Sequence, residues 1–392
     1  MKILAVVSAI DLALRQAVPA WWQLFKGLYE LETDLVVIPY VGRSVESLWW
    51  RSYENPCELQ SLLVNKIVRF RKNTSRSSSS TEKNNSITPL SGKFIQLLAT
   101  TFTSPKWLKN LKKILEKEKD VEAVIFFNIP PNQIKGIPTF IRREFGIPSI
   151  FYDMDAPDSL PGFSISRLAF NWYLDADLTE YDAVILNSEG AIPMLKQMGA
   201  QNVHAIHFGV DPSLFRPVTT SKDVDVFFYG QGDEFREDWI NCMITRPSEI
   251  LSKTFLVGGK PFRTGLGKAK RINNLPISSW VKYCCRSKIN LNVTRKHHAE
   301  VFCSSTSRIF ELASIGCCII SNPVNGLDKW FDLDEEVIMI KSEKEAVEMY
   351  NWLLPAEDIR FKMSEKARQR VLNEHTHRHM AKRLLDITKK YT

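Results

Sequence analysis

Short apolar runs that alternate with helix-period segments are the feature that most limits what this chain can fold into. Each run has the length of one strand, and in most of them apolar residues stand next to one another instead of alternating with polar ones, which is typical of parallel strands buried on both faces. The runs are Ile3–Ser8, Asp34–Pro39, Val121–Asn128, Ser149–Tyr152, Ala183–Asn187, Val203–Phe208, Val224–Gly230, Phe255–Gly258, Ile289–Val293, Cys317–Ser321 and Val337–Ile340. The pattern predicts an α/β fold whose parallel sheets are covered by helices.

The runs fall into two series, separated by the segment Phe215–Asp223 (FRPVTTSKD), which holds proline, small polar residues and charges. A chain of 392 residues is also too long for one ordinary core and suits two domains of roughly 150–200 residues each. We therefore expect two Rossmann-like domains, at 1–217 and 218–375. A C-terminal helix at 376–392 is predicted to return to the N-terminal domain.

The first residues, MKILAVVSAIDLALRQAVPAWW, allow two interpretations. They have the lysine and apolar stretch of a signal peptide, but Asp11 and Arg15 interrupt that stretch. A buried first strand that leads into a helix fits better. The seven cysteines lack the spacing of a zinc site or a disulfide framework. We therefore expect a reducing, cytoplasmic location.

Two basic segments lie in the N-terminal half. Arg69–Ser86 is basic and rich in serine and predicts a mobile loop at about 72–88. Pro105–Lys119 (PKWLKNLKKILEKEK) predicts an amphipathic helix. This helix is either an ordinary outer helix of the sheet or, through its lysines and Trp107, a point of peripheral membrane contact.

The net charge of +8 suggests an anionic partner. No zinc finger, aromatic RNA-binding strand or recognition helix is visible, so we do not expect nucleic acid to be that partner. The sequence also lacks the glycine fingerprint of dinucleotide-binding domains, a P-loop and a nucleophile elbow. These absences argue against a nicotinamide dehydrogenase, a P-loop kinase and an α/β-hydrolase.

Three segments carry a family resemblance. They are Asp182–Pro217 (DAVILNSEGAIPMLKQMGAQNVHAIHFGVDPSLFRP), Asp223–Arg236 (DVDVFFYGQGDEFR) and Ser287–Leu327, with STSRIFELASIGCCIISNPVNGL at its end. In this order they resemble glycosyltransferases of the GT-B fold, particularly the CgeB-like (spore-maturation-type) group. The C-terminal segment RVLNEHTHRHMAKRLLDI is similar to that group's last helices. The resemblance runs from about Tyr152 to the C-terminus.

The resemblance implies two Rossmann-like domains whose parallel sheets face a central cleft. It also implies a hexosyltransferase-like enzyme that moves a sugar from a nucleotide-diphosphate donor to an acceptor hydroxyl or amine, with retention of configuration. No metal or other cofactor is implied beyond the nucleotide-sugar co-substrate. The acceptor can be a small molecule, a glycan or a peptide. The alternatives are a non-catalytic sugar- or nucleotide-binding protein and a nucleotide-sugar epimerase of the same fold.

Glu311 stands where the family places a carboxylate that accepts hydrogen bonds from both ribose hydroxyls. The alternative is a helix charge without a ligand. The turn Ser304–Ser307 opens the helix with N–H groups suited to phosphate, and we expect Ser307 to contribute there. Arg308 can bind a pair of phosphate oxygens or form a salt bridge elsewhere.

Four further donor-binding candidates follow strands of the second series. Gly230 and Gly232 follow a buried strand, as a backbone that passes close to a ligand requires. Arg236 lies just beyond them and can reach a diphosphate; the alternative is a surface residue at the start of a helix. Lys260 ends the next strand, on the edge of the sheet where ligands collect.

The segment Tyr152–Asp158 (YDMDAPD) supplies the acceptor-side candidates. Asp153 or Asp155 can orient or deprotonate an acceptor hydroxyl. The alternative is an Asx-turn in which the carboxylate accepts from backbone N–H groups. A metal site formed by this DMD pair is a further, less favoured alternative.

One departure from the family pattern concerns the sugar. Many retaining GT-B enzymes have a second Glu eight positions before the ribose Glu, and that position is Cys303 here. Glu300 lies three residues further back. The neighbouring pair His297-His298 is interpreted as a basic surface patch on an extended segment, with side chains on opposite faces. A less favoured alternative is that one of the two histidines contacts the donor phosphate.

Overall fold

The computed structural model describes residues 1–9, 18–58, 101, 103–163, 172–259, 262–272 and 275–392. The predicted mobile loop at about 72–88 lies outside these residues. The described strands form two sheets in which every pairing is parallel. The predicted α/β class is confirmed.

The first sheet has the strand order β3-β2-β1-β4-β5-β6-β7. Its strands are β1 (Lys2–Ala9), β2 (Asp34–Val41), β3 (Arg51–Ser52), β4 (Ala123–Phe127), β5 (Ser149–Asp153), β6 (Ala183–Leu186) and β7 (Val203–Ala205). β1 pairs with both β2 and β4, and its residues from Ile3 to Val7 are almost entirely buried. The interpretation of the first residues as a buried strand is therefore confirmed.

Helices cover both faces of this sheet. They are α1 (Ala20–Glu30), α2 (Ser104–Lys117), α3 (Ile137–Phe145) and α4 (Ile192–Gln197), with short 3-10 turns at Pro131–Gln133, Leu178–Glu180 and Glu189–Ala191. In α2 the buried positions recur at helical spacing, and Trp107 packs on Tyr40 with 5.3 Å between ring centres. Trp107 is only 1% exposed. This tryptophan therefore belongs to the core and is not on the surface, where a membrane contact would need it.

The second sheet has the strand order β10-β9-β8-β11-β12-β13. Its strands are β8 (Val224–Tyr229), β9 (Phe255–Gly258), β10 (Lys270–Ile272), β11 (Ser287–Asn292), β12 (Ile319–Ser321) and β13 (Val337–Met339). Its helices are α5 (Glu237–Ile240), α6 (Arg246–Ile250), α7 (Ile277–Arg286), α8 (Lys296–Glu300), α9 (Ser307–Ser314) and α10 (Glu343–Leu353). A π-helical turn at Asn241–Thr245 joins α5 to α6, and Leu327–Lys329 forms a 3-10 turn.

Two C-terminal helices connect the sheets. α11 (Glu357–Glu374) packs on α9, and α12 (His377–Thr388) packs on α1 of the first sheet. A capping box formed by Thr376 and His379 begins α12. The backbones approach closely here, because a Cβ built on Gly27 of α1 would lie 2.5 Å from the His377 carbonyl oxygen. Helix α12 thus lies against the N-terminal domain.

None of the helices in the described part of the chain has the length and apolar character that a membrane span requires.

Candidate functional site

The candidate site lies where the strand order of the second sheet reverses. β8 and β11 are neighbours at this point, and the chain leaves them in opposite directions, towards β9 and β12. A crevice forms beyond the carboxyl ends of two such strands and is the usual ligand site of open parallel sheets. Gly230, Gly232 and Arg236 follow β8, and Arg295 follows β11. The topology therefore brings these residues to one edge.

Glu311 lies in the middle of α9 and is buried, with 5% of its surface exposed. Burial raises the pKa of this carboxyl, and the charge of Arg308 and a hydrogen bond from Ser307 oppose the rise only in part. The nearest charge is Arg308, whose Nε lies 3.7 Å from Glu311 Oε2. A buried carboxylate with one incomplete ion pair is costly to keep without a ligand.

Arg308 is held by aromatic rings. The centre of its guanidinium lies 4.4 Å from the Trp280 ring and 5.7 Å from the Tyr229 ring. Trp280 belongs to α7, and Tyr229 is the last residue of β8. Among the described residues, the buried Nη1 of Arg308 has no hydrogen-bond acceptor. The side chain is therefore fixed in place and keeps donor capacity for an anion.

Arg236 and Arg295 form a second cationic group at the same edge. Arg236 donates from Nε to the Val293 carbonyl oxygen at 2.7 Å. Burial and the neighbouring charge of Arg295 lower the pKa of Arg236 to about 9, and Arg308 adds to this effect while Asp233 opposes it. Arg236 thus lies in the positive field of Arg295 and Arg308, and such a field favours the binding of an anion.

The glycines after β8 have structural neighbours of their own. A Cβ on Gly230 would lie 2.7 Å from the Phe228 ring, and a Cβ on Gly232 would lie 2.2 Å from the Phe262 ring. Packing against these two rings is thus sufficient reason for glycine at both positions. Lys260 lies outside the described residues.

The turn before α9 joins the two sheets. Ser304 bridges Ser188 in antiparallel fashion, and the Ser305 N–H donates to the Asn187 carbonyl oxygen at 2.9 Å. The Asn187 side chain donates back to the Ser305 carbonyl oxygen at 2.8 Å. These groups are consequently committed to the end of β6. The first turn of α9, beginning at Ser307, remains the part of the segment suited to phosphate.

The structure separates the two acceptor-side carboxylates. Asp153 is fully buried; one oxygen accepts from the Asp155 N–H at 2.9 Å, and the other accepts from Ser159 and Tyr173. Burial raises the pKa of Asp153 despite these hydrogen bonds. This geometry is that of the Asx-turn alternative.

Asp155 is exposed and accepts a hydrogen bond from the Asn128 side chain at 3.2 Å. The same Asn128 accepts from the Met154 N–H at 2.7 Å, which fixes its orientation. Asp155 can therefore reach a ligand, whereas Asp153 cannot. The pair does not present two carboxylates to a single ion, so the DMD sequence is not arranged as a metal site.

The interpretation of His297-His298 as a surface patch on an extended segment is wrong. Both residues lie on the short helix α8, and His298 is buried. Residues on a helix are turned by only about 100° from one to the next, so neighbours can face one partner. That partner is Asp158 of the N-terminal domain, 3.2 Å from His297 Nδ1 and 3.7 Å from His298 Nε2.

Glu189, His207 and Cys303 offer potential metal-ligand atoms that lie within 4.8 Å of one another. Nδ1 of His207 accepts a hydrogen bond from the Trp330 indole N–H at 3.2 Å, so the ring proton resides on Nε2. Nε2 is the atom that faces Glu189, at 3.4 Å. A metal would need a free electron pair on this nitrogen. The cluster is therefore not set up to bind one.

Sequence reasoning missed Arg295 and Asp158. Arg295 lies just beyond the carboxyl end of β11, and this position is the signal that could have identified it. Asp158 was included in the acidic segment but not singled out, because its partners are far away in sequence. Cys303, at the position of the family's sugar-contacting Glu, is fully buried against Gly326. Glu300 is exposed and pairs with Lys296 at 3.9 Å.

Comparison with known proteins gives a family match for part of the chain. Residues 236–386 match a family model described as glycosyl transferase-like. No curated protein sequence matches the chain.

Among solved structures, the chain is similar to sucrose-phosphate synthase from Thermosynechococcus elongatus, with a TM-score of 0.65 and 12% identity over 100% of this chain and 99% of that one. For a glycosyltransferase from Rickettsia africae the TM-score is 0.61 and the sequence identity is 13%, over 100% of this chain and 98% of that one. For Anabaena HepE in complex with UDP the TM-score is 0.57 and the sequence identity is 12%, over 100% of both chains. At these identities the likeness shows the fold, which is GT-B.

Proposed function

We propose that this protein is a glycosyltransferase that moves a sugar from a nucleotide-diphosphate donor to an acceptor hydroxyl or amine. One observation carries the proposal: the buried carboxylate of Glu311 lies one helical turn from the ring-stacked guanidinium of Arg308. Vicinal ribose hydroxyls give a carboxylate two donors, and a diphosphate gives a guanidinium pairs of oxygens. The family match over residues 236–386 supports this assignment.

The diphosphate is proposed to lie between Arg236, Arg295 and Arg308, near the first turn of α9. As the bond to the sugar breaks, negative charge builds up on the departing nucleotide. Guanidiniums and helix N–H groups that are already in position stabilise this charge without reorganising. We accordingly propose a reaction that does not require a metal ion.

On the acceptor side, Asp155 is the proposed base. It is exposed, follows a strand of the N-terminal domain and is held by Asn128. A carboxylate in this position can accept the proton of an acceptor hydroxyl or orient that hydroxyl for attack. Asp153 is proposed to shape the turn that presents Asp155.

The narrower assignments rest on sequence resemblance. These are membership of the CgeB-like group, hexosyl transfer and retention of configuration at the sugar. HepE was solved with UDP, so UDP-sugars are the first donors to test. Closure about the segment Phe215–Asp223 would bring donor and acceptor together and exclude water.

A second candidate function is a protein that binds a nucleotide-sugar without turning it over. The observation that favours it is the absence of a carboxylate at Cys303, together with the outward position of Glu300. Such a protein would bind the donor through Glu311 and Arg308, but it would lack the contact that many retaining enzymes make to the sugar.

A thermal-shift screen with UDP-, GDP-, ADP- and dTDP-sugars tests the proposal, because a ligand that binds only the folded state raises the unfolding midpoint. We expect one nucleotide class to stabilise the wild type but not the Glu311→Ala variant. Release of nucleoside diphosphate with acceptor mixtures then identifies a transferase, and binding without release identifies the second candidate. If no nucleotide-sugar shifts the midpoint, both candidates are wrong.

A further inference from the structure

Asp158 makes the closest charged contacts between the two domains at the candidate site. It belongs to the loop after β5, yet its ionic partners lie beyond β11: Arg295 Nη1 at 3.0 Å, His297 Nδ1 at 3.2 Å and His298 Nε2 at 3.7 Å. Only about 6% of the residue is exposed. The carboxylate of one domain thus sits in a cationic surface of the other.

Arg295 is shared between the domains. Besides Asp158, its Nε lies 3.5 Å from Asp233 Oδ2, and its Nη2 donates to the Gln231 side chain at 3.3 Å. Asp233 in turn lies 3.7 Å from Arg236. A chain of alternating charges therefore runs from Asp158 through Arg295 and Asp233 to Arg236, one of the proposed diphosphate ligands.

Asp158 stays ionised throughout the physiological range. Burial alone would raise its pKa, but His298, Arg295 and His297 outweigh burial and hold the pKa at about 2. The Asp158 charge also reaches the donor residues, since it raises the pKa of Arg236 while Arg295 and Arg308 lower it. Asp158 therefore partly neutralises the cationic group to which we assign the diphosphate.

We infer that the Asp158 carboxylate forms an ion pair with Arg295 when no donor is bound, and that the diphosphate of a bound nucleotide displaces this carboxylate from Arg295. This inference rests on the proposed function. Arg295 can give its full charge to the diphosphate only if the contact with Asp158 is released or lengthened. Nucleotide binding and the Asp158 contact then compete for one guanidinium, so that Asp158 returns to Arg295 as the nucleotide leaves and favours product release.

Calorimetry first measures the binding of UDP, GDP, ADP and dTDP to the 392-residue chain. The nucleotide that binds most tightly is then titrated into the variants. Asp158→Asn removes the competing charge and keeps the side-chain shape. We expect this variant to bind the nucleotide about three- to tenfold more tightly than the wild type, because Arg295 is released from its ion pair with Asp158 and can give its charge to the diphosphate. The dissociation rate, followed by tryptophan fluorescence, should fall by a similar factor.

Glu300→Gln is the matched control. It removes one negative charge from α8, the helix that carries His297 and His298, but Glu300 is exposed and pairs only weakly, with Lys296 at 3.9 Å. Its nucleotide affinity should equal that of the wild type. Equal tightening in both variants would show a general charge effect and overturn the inference, as would unchanged or weaker binding by Asp158→Asn.

Arg295→Gln completes a double-mutant cycle. This variant should bind nucleotide more weakly, and adding Asp158→Asn to it should change the affinity little, because the residue through which Asp158 acts is absent. A full effect of Asp158→Asn in the Arg295→Gln background would contradict the mechanism.

Hydrogen exchange on the wild type keeps the inference testable even if Asp158→Asn does not fold. Added nucleotide should slow exchange in the 295–300 segment and speed it in 154–158, whereas a contact that persists would slow exchange in both. If the wild type binds none of the four nucleotides, the proposed function fails. If the wild type binds one of them and Asp158→Asn does not bind it more tightly, only this inference fails.

Discussion

The Arg308 guanidinium lies 4.4 Å from the centre of the Trp280 ring, with Tyr229 at 5.7 Å. This stacking fixes a long side chain next to Glu311 before any ligand arrives. A side chain that is already ordered loses less entropy when it binds, so the stacking is worth more to recognition than its own small stabilisation suggests.

Arg308→Lys should weaken nucleotide binding by about tenfold or more, because lysine loses both the planar stacking and the two-point contact with phosphate oxygens. Calorimetric titration with the best-binding nucleoside diphosphate measures the change. Arg286→Lys is the control, since Arg286 also stacks on an aromatic ring, Tyr283 at 4.9 Å, and pairs with Asp223 away from the site. Equal losses in both variants would contradict a specific role for Arg308.

Glu311→Gln should abolish most nucleotide binding and yet raise the thermal unfolding midpoint at neutral pH. The folded protein raises the pKa of this carboxyl through burial, so the contribution of Glu311 to stability is present at low pH and is lost as pH rises through the folded-state pKa. The stability advantage of the glutamine variant should therefore grow with pH. Differential scanning fluorimetry between pH 4 and pH 8 measures it.

Glu118 serves as a comparison because the folded protein lowers the pKa of this carboxyl, whereas it raises the pKa of Glu311. Burial would raise its pKa, but hydrogen bonds from Lys2 and Tyr53 and the charge of Arg51 outweigh burial and lower it. Glu118→Gln should therefore destabilise the protein at neutral pH, and the deficit should shrink on acidification. If both glutamine variants shift the midpoint in the same direction, the pKa argument for Glu311 is wrong.

Substitution of Asp153 should lower the stability of the protein, whereas substitution of Asp155 should lower its activity. Asp155→Asn is expected to leave the unfolding midpoint unchanged and to reduce transfer by about a hundredfold or more, the usual contribution of a general base. Asp153→Ala leaves the buried hydroxyls of Ser159 and Tyr173 without their acceptor, at a cost of about 1–3 kcal/mol in unfolding free energy. Urea denaturation and nucleotide release measure the two effects; a stable, inactive Asp153→Ala variant would reverse the assignment.

The contact between α1 and α12 should be sensitive to a single methyl group. Gly27→Ala places a Cβ 2.5 Å from the His377 carbonyl oxygen, so the helices must separate, and we expect a loss of about 1–3 kcal/mol. Gly265→Ala is the control, because a Cβ there meets nothing within 4 Å. Urea denaturation should leave this control unchanged, and a stable Gly27→Ala variant would show that the helices can move apart freely.

Local pattern determined the strands. All eleven apolar runs correspond to strands, because the strands of a helix-covered parallel sheet bury most of their side chains. The two strands that the pattern missed, β3 (Arg51–Ser52) and β10 (Lys270–Ile272), lie at sheet edges, where polar residues can face water. The amphipathic helix α2 also follows from spacing alone.

The sequence by itself also singled out candidate donor ligands, Glu311 through the family resemblance and Arg308 and Arg236 through their positions at a helix start and after a strand. Only the tertiary structure decided which carboxylate of the DMD pair is buried, that Trp280 supports Arg308, and that Asp158 meets Arg295 from the other domain. The physical reason is separation along the chain. Charge pairing, ring stacking and burial depend on distances in space, and residues in different elements acquire these distances only when the sheets and domains have packed.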